Sequence, residues 1–229
     1  ATSPNYIKGS CWMRQVPEKC VVVPNCINEK RLKKTEESRR IEKEIRNDNR
    51  DKIVCLAVGR HTEYKGFKYL IRASRFLDDR FRIYISGKGE LTEELKREAM
   101  GDEKVKFLGL VSDDELKAYL SAMDIFCFPS ITKNEAFGVA LAEAMYFEKP
   151  TVTFVIEGSG VNYVSLNGIT GIEVPSKDVK AYAEAIKRLG NNERLREEYG
   201  RNGNIRVAEN FLDSQFRKNI YSVIRGLLL

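Results

Sequence analysis

Two glutamates, Glu135 and Glu143, stand eight residues apart in a segment that carries no other charge. A carboxylate on so apolar a helix is costly unless hydrogen-bond donors surround it, and an ionised carboxylate only accepts hydrogen bonds. Hydroxyl groups of a ligand would supply such donors. The backbone N–H groups near Gly138 and Val139, at the predicted start of a helix, form an anion site. The segment therefore indicates a ligand with phosphate beside hydroxyl groups.

A basic pair, Arg60 and Lys65, follows an apolar run from Ile53 to Gly59. Arginine offers a planar fork of donors and lysine a point charge, which together suit two adjacent phosphates. Plainer interpretations stay open for both pairs. Arg60 and Lys65 are also compatible with a solvated loop, and the two glutamates with a helix-start charge and a buried group that has a protein partner. The neighbouring His61, the only histidine, is interpreted as a loop residue rather than a catalyst.

Two glycine-containing turns follow other apolar runs. Gly87 to Gly89 is only G-x-G, without the third glycine of a dinucleotide-binding fingerprint, and we interpret it as a tight turn near the ligand. Gly158 to Gly160 is likewise interpreted as a turn, beside the hydroxyl-bearing part of the ligand. Each is a weak signal by itself.

Strand-like runs alternate with helical patterns along the chain. The predicted strands are Ile53 to Gly59, Phe81 to Ser86, Val105 to Leu108, Asp124 to Phe128, Thr151 to Val155 and Gly171 to Val174. The predicted helices are Phe67 to Leu77, Glu90 to Met100, Asp113 to Met123, Ala136 to Phe147, Asp178 to Leu189, Asn191 to Asn210 and Asp213 to about Leu227. This alternation predicts one α/β domain with a Rossmann-like, doubly wound parallel sheet of about six strands. Ligands of such sheets bind beyond the carboxyl ends of the strands, where both charged pairs fall.

The composition narrows the classes of partner. Lys and Arg number 39 against 33 Asp and Glu, and the net charge suits an anionic ligand or an anionic membrane surface. Because acidic residues interrupt the basic ones between Asn28 and Lys52, we predict a solvated helix there and no nucleic-acid partner. No apolar run approaches the roughly 20 residues that span a bilayer, and Ala1 to Ser10 lacks an apolar signal core. Five cysteines without a C-x-x-C pair indicate neither disulfides nor zinc. These features predict a cytoplasmic protein, in solution or at the membrane surface.

Several motifs in a fixed order resemble the group-1 glycosyltransferases of the GT-B fold, in their C-terminal donor-binding domain. They are Val21 to Asn25, Val58 to Arg60 with Lys65 and Gly66, Ile85 to Gly89, Phe107 to Val111, Phe128 to Ser130, Glu135 to Glu143, and Asn167 to Gly171. The resemblance implies that Ala1 to Asn25 ends an interdomain segment and includes the domain's first strand. Residues 26–229 would form the nucleotide-sugar domain, and the acceptor-binding N-terminal domain would be absent.

The resemblance also implies a role for each site residue. Arg60 and Lys65 would neutralise the donor diphosphate, Glu135 would hold the transferred sugar and Glu143 the ribose. Three further backbone contacts are implied, at Gly138 and Val139 for phosphate or sugar oxygens, at Val111 for the base, and at Gly87 near the ligand. The family retains anomeric configuration and needs no essential metal or other cofactor, and no D-x-D occurs in this sequence.

The resemblance has limits. Where the family shows a Gly-Gly-x-Pro-Glu-like stretch, this chain has Gly158 to Asn162, so no role is carried over there. The acceptor, a sugar, lipid-linked or protein group, would come with an N-terminal domain or a separate subunit, and the chain alone is expected to be nearly inactive. The last helix, Phe211 to Leu229, is expected to lean toward that half with an apolar face. Alternatives are a non-catalytic sugar-nucleotide-binding subunit or sensor and a GT-B-like sugar-nucleotide epimerase. A nicotinamide-dependent oxidoreductase is the alternative that the sequence favours least.

Overall fold

Six parallel strands form one sheet in the computed structural model, which describes residues 1–228. They are β1 (Ile53–Val58), β2 (Phe81–Ser86), β3 (Val105–Gly109), β4 (Ile125–Phe128), β5 (Thr151–Phe154) and β6 (Gly171–Val174). Their order across the sheet is β3-β2-β1-β4-β5-β6, and every neighbouring pair is parallel. The predicted fold class and all six strands are confirmed, each within about one residue at its ends.

Ten helices surround the sheet among the described residues. They are α1 (Pro4–Gly9), α2 (Glu36–Asp48), α3 (Phe67–Ser74), α4 (Thr92–Glu98), α5 (Asp113–Ala122), α6 (Val139–Tyr146), α7 (Val161–Val164), α8 (Val179–Gly190), α9 (Glu193–Asn210) and α10 (Asp213–Leu228). The start of α5 carries a two-way cap, since the Ser112 side chain accepts from the Glu115 N–H and the Glu115 side chain accepts from the Ser112 N–H. Short two-way caps of this kind fix where a helix begins.

The centre of the sheet lies between β1 and β4. All four residues of β4 are buried, and so are the four inner residues of β1. Strands covered on both faces are continuously apolar rather than alternating, which is why the two runs could be recognised from sequence. The chain passes from β1 outward to β3 and then returns to β4, so the loops after β1 and β4 lie side by side at one end of the sheet.

The predicted first strand of the domain is wrong. Val21 to Asn25 forms no strand. The Val23 N–H donates to the Ala1 carbonyl at 2.8 Å, and the Ala1 amino group donates to the Val21 carbonyl. These bonds hold the segment against the first residue of the chain instead of the sheet, and Pro24 has no N–H to offer a ladder. The chain reaches the domain body at Ile27, which bridges Leu212.

The C-terminal helix α10 leaves apolar side chains in solvent. Tyr221 is 65% exposed and Ile224 is 47% exposed. The expected helix is confirmed from Asp213 to Leu228, but Phe211 and Leu212 precede it, and Leu229 lies outside the described residues. That α10 leans toward another half remains a prediction. None of the described helices is both long and apolar enough to cross a lipid bilayer.

Candidate functional site

The centre of the site is an ion pair between Lys65 and Glu135, which are 70 residues apart in sequence. Lys65 ends a short 3-10 turn after β1, and Glu135 lies in the loop after β4. The Ser130 hydroxyl donates to the same Glu135 oxygen at 3.1 Å. The Lys65 ammonium also lies 5.2 Å from the centroid of the Phe128 ring. The structure thus brings two of the predicted site residues into direct contact, in a largely buried position.

A glycine allows the two loops to approach. Gly66 has a φ of +64°, and a Cβ atom there would stand 2.1 Å from the Pro129 carbonyl oxygen. The Ile131 N–H donates to the Tyr64 carbonyl at 2.9 Å, which links the same two loops. Any larger residue at position 66 would push Lys65 away from the β4 loop.

Arg60 is an exposed cation at this edge. It follows β1 directly, and its side chain forms no ion pair with residues 1–226. Lys65, by contrast, is already balanced by Glu135. Arg60 is therefore an uncompensated positive charge next to the cleft, as an anionic ligand would require.

The helix after Glu135 begins later than predicted. The sequence-based start was Ala136, but α6 begins at Val139, because Gly138 takes the left-handed conformation with φ of +93°. A Cβ atom at Gly138 would meet the Phe128 ring at 3.3 Å. The Phe137 side chain before it is buried in the core. Gly138 and Val139 consequently present the first free N–H groups of α6 at the carboxyl end of the sheet.

The Gly158 to Gly160 turn contacts the Glu135 loop. The Ser159 hydroxyl donates to the Glu135 carbonyl oxygen, and a Cβ atom at Gly160 would stand 2.3 Å from the Ala136 carbonyl. Ser159 is fully buried. The turn therefore fixes the backbone on which the Glu135 carboxylate is carried.

Glu143 lies one turn into α6 and is 8% exposed. Burial raises the pKa of its carboxyl, and the nearby Arg31 cation acts in the opposite direction. Arg31 Nη1 lies 3.4 Å from Glu143 Oε1, while Arg31 Nη2 lies 3.0 Å from Asp113 Oδ1. Sequence reasoning missed both Arg31 and Asp113. Their separations of 112 and 82 residues from their partners leave no local pattern.

Gly87 and His61 join the β1 and β2 loops. The His61 N–H donates to the Lys88 carbonyl at 3.1 Å, and a Cβ atom at Gly87 would stand 1.9 Å from the Gly59 carbonyl. His61 is a loop residue as predicted, but it is buried, and its Nδ1 lies 2.9 Å from Thr92 Oγ1. Burial and the Lys96 charge lower the pKa of His61. The observed contacts of His61 hold the β1 loop against the residues that follow β2.

Val111 lies just beyond the end of β3, next to this turn. The Gly87 N–H donates to the Gly109 carbonyl at 2.8 Å, which aligns the Gly87 turn with the last residue of β3. Val111 is half-buried and precedes Ser112, the cap of α5. Val111 and Gly87 therefore belong to the β2 and β3 side of the edge, while Glu135, Gly138 and Glu143 belong to the β4 side. Within residues 1–228 no group of three or more His, Cys, Asp or Glu side chains is placed to hold a metal ion.

The sequence and fold are similar to those of enzymes that attach sugars. A family model described as "Glycosyl transferases group 1" matches residues 38–206. The chain is 31% identical to O-antigen chain mannosyltransferase C of Escherichia coli, over 92% of this chain and 56% of that one. It is 33% identical to a D-rhamnosyltransferase of Pseudomonas aeruginosa, over 92% of this chain and 54% of that one. The chain thus spans about half the length of these curated relatives.

Solved structures share the fold. Anabaena HepE in complex with UDP and glucose superposes with a TM-score of 0.80 at 18% identity, over 91% of this chain and 57% of that one. The C-terminal domain of a group 1 glycosyl transferase from Francisella tularensis gives 0.66 at 17% identity, over 82% of this chain and 99% of that one. The chain belongs to the group 1 glycosyl transferases and has the α/β architecture of the C-terminal half of their GT-B fold.

Proposed function

We propose that this chain binds a nucleotide-diphosphate sugar and supplies the donor-binding half of a retaining hexosyltransferase. The observation that carries the proposal is the contact of Lys65 with Glu135 at the carboxyl end of the sheet. A cation and a carboxylate joined beside an exposed Arg60 and a helix start match a ligand with a diphosphate next to sugar hydroxyls.

The chemistry assigned to each residue follows from its charge and position. Arg60 and Lys65 neutralise the diphosphate and stabilise it as a leaving group when the bond to the sugar breaks. Lys65 then shares its charge between Glu135 and phosphate, and Glu135 accepts hydrogen bonds from the sugar. The backbone at Gly138 and Val139 donates to phosphate or sugar oxygens, and Glu143 accepts from the ribose hydroxyls. Backbone near Val111 and Gly87 holds the base side of the nucleotide. Retention of configuration and independence from an essential metal belong to the same proposal.

The comparisons support this proposal at the level of ligand class. The HepE structures contain UDP, with glucose or as UDP-glucose, and the curated relatives transfer mannosyl and rhamnosyl groups by name. An N-terminal domain or a separate subunit would supply the acceptor, a sugar, lipid-linked or protein group, in solution or at a membrane surface. We expect this chain alone to bind donor and to transfer sugar negligibly. Robust multiple turnover by the purified chain would contradict the proposal that acceptor binding needs a further domain or subunit.

Glu135→Ala tests the assignment of the sugar. We expect the variant to bind a nucleoside diphosphate as tightly as wild type or more tightly, because Lys65 is released from its partner. The nucleotide sugar should bind about tenfold more weakly, the loss expected for one charge-assisted hydrogen bond. Calorimetric titration with both ligands measures the difference. Glu157→Ala, which removes an exposed carboxylate from the β5 loop, is the matched control. Equal weakening for the two ligands would refute the role of Glu135.

Glu143→Gln tests the assignment of the ribose. Glutamine keeps the shape but replaces one acceptor oxygen by a donor group. We expect weaker binding of a ribonucleoside diphosphate, and a much smaller change for its 2′,3′-dideoxy analogue, which lacks the hydroxyls. Titration of both nucleotides against both proteins isolates the ribose contribution. The same loss for the two nucleotides would show that Glu143 acts through something other than ribose.

The raised pKa of Glu143 also predicts a pH dependence of stability. A carboxyl whose pKa is raised by folding binds its proton more tightly in the folded state. Stability therefore falls as the pH rises from the ordinary glutamate value through the raised folded-state value. The glutamine in Glu143→Gln cannot titrate. As the pH rises across this window, the free energy of unfolding of wild type should therefore fall relative to that of the variant. Urea denaturation at a series of pH values measures the gap, and a constant gap would contradict the shift.

A further inference from the structure

The Arg31 guanidinium is shared unequally by two carboxylates. Toward Asp113 it presents Nε at 3.2 Å from Oδ2 and Nη2 at 3.0 Å from Oδ1, a fork-to-fork contact. Toward Glu143 it presents only Nη1, at 3.4 Å from Oε1. Asp113 is therefore the anchor of Arg31, and Glu143 is held loosely.

The backbone of Arg31 is fixed, whereas its side chain is partly exposed. The backbone N–H of Arg31 donates to the Asn28 carbonyl at 3.0 Å, and the next residue, Leu32, is buried in the core. The Arg31 side chain, in contrast, is 45% exposed. The guanidinium can leave Glu143 while it stays on Asp113, without any change in the backbone.

We propose that Arg31 is a specificity-determining residue that competes with the ribose of the bound nucleotide for Glu143. The inference rests on the proposed function. Two vicinal hydroxyls can donate to both oxygens of one carboxylate, but Arg31 occupies Oε1 in the unliganded chain. A ribose that donates to both oxygens therefore competes with Arg31 for Oε1, and its binding weakens the Arg31–Glu143 contact. A nucleotide without these hydroxyls has no donors that could replace the Arg31 contact.

The local charge favours competition over a direct phosphate contact. One guanidinium faces two carboxylates, Asp113 and Glu143, so the three groups together carry a formal charge of −1 when ionised. A phosphate would meet repulsion there, while Arg60 on the other side of the cleft has no acidic partner among residues 1–226. Arg31 thus has no surplus charge for the diphosphate.

Titration of Arg31→Ala and Arg31→Met with UDP, GDP, ADP and their 2′,3′-dideoxy analogues tests the proposal. We expect the best-bound ribonucleotide to gain about two- to fivefold in affinity, the value of a partly exposed ion pair. The preference for ribo over dideoxy nucleotide should widen by a similar factor. The methionine variant keeps the apolar stem, so it separates charge from packing. Arg40→Ala on α2 is the matched control, because it removes an arginine that also bridges two carboxylates, Glu37 and Glu44, and should leave both affinities unchanged.

Two results would overturn the inference alone. Weaker binding of ribo and dideoxy nucleotides alike would make Arg31 a ligand contact, and an unchanged ribo-to-dideoxy preference would remove it from the site. Failure of the wild-type chain to bind any of the nucleoside diphosphates would instead overturn the proposed function, and this inference with it.

Discussion

Lys65→Ala is expected to weaken the binding of a nucleoside diphosphate about 10- to 150-fold, which corresponds to the loss of one charge-assisted contact. Lys65 ends the short turn that follows β1, and its ammonium pairs with Glu135 in the β4 loop. Its removal takes a positive charge from the diphosphate and leaves the Glu135 carboxylate buried without its cation. The remaining negative charge adds repulsion to the loss. Calorimetric titration with the diphosphate measures the effect.

The neighbouring Lys68 provides the control. Its ammonium pairs with Glu63, whose side chain is 60% exposed, and the residue lies on α3, three positions from Lys65. Lys68→Ala removes the same charge and breaks a similar pair outside the cleft, so nucleotide affinity should remain near that of wild type. Melting temperatures of both variants separate binding from folding. Equal affinities for wild type and Lys65→Ala would remove Lys65 from the diphosphate site.

Gly66→Ala is expected to destabilise the fold by about 2 to 5 kcal/mol and to abolish nucleotide binding under the same conditions. The φ of +64° alone costs an alanine about 1 to 2 kcal/mol, and the new methyl group would stand 2.1 Å from the Pro129 carbonyl oxygen. This clash can be relieved only if the β1 and β4 loops separate, which costs about 1 to 3 kcal/mol more. Because Lys65 and Glu135 lie on those two loops, the site opens with them. Thermal unfolding and titration report the two consequences.

Gly101→Ala isolates the backbone cost. Gly101 has a φ of +82°, and no atom lies within 4 Å of a Cβ built there. Its substitution should therefore destabilise by the conformational term only and leave nucleotide affinity intact. A Gly66→Ala protein as stable as Gly101→Ala, with normal affinity, would mean that the two loops tolerate separation and that their close approach is not required.

The sheet could be predicted because its central strands are buried on both faces. Apolar runs such as Ile53 to Gly59 leave little choice of structure, and the residues after them must fall at one edge. The convergence of Lys65 and Glu135 follows from that rule once β1 and β4 are neighbours. The failures are local. Val21 to Asn25 has strand-like residues but bonds to Ala1, and the start of α6 moves by three residues because Gly138 leaves helical geometry.

The contacts of Glu143 could not be predicted. A carboxylate on an apolar helix indicates a need for donors, but the sequence pattern is equally compatible with a ligand hydroxyl and with a protein cation. Arg31 lies in a segment of mixed charge, where nothing distinguishes it from Lys30 or Lys33. Only the turn at Asn28 and the burial of Leu32 aim it at Asp113 and Glu143. Partners so distant along the chain are a property of the tertiary fold.

The return of the chain from β3 to β4 has a consequence for the order in which the protein acquires its properties. The two loops that carry Lys65 and Glu135 meet only when β4 enters the sheet beside β1. Closing so long a segment is entropically costly and is slow compared with helix or hairpin formation. We therefore expect a refolding chain to show no affinity for nucleotide until β4 has paired with β1. A fluorescent nucleotide added during refolding would time the arrival of β4, independently of any spectroscopic measure of secondary structure.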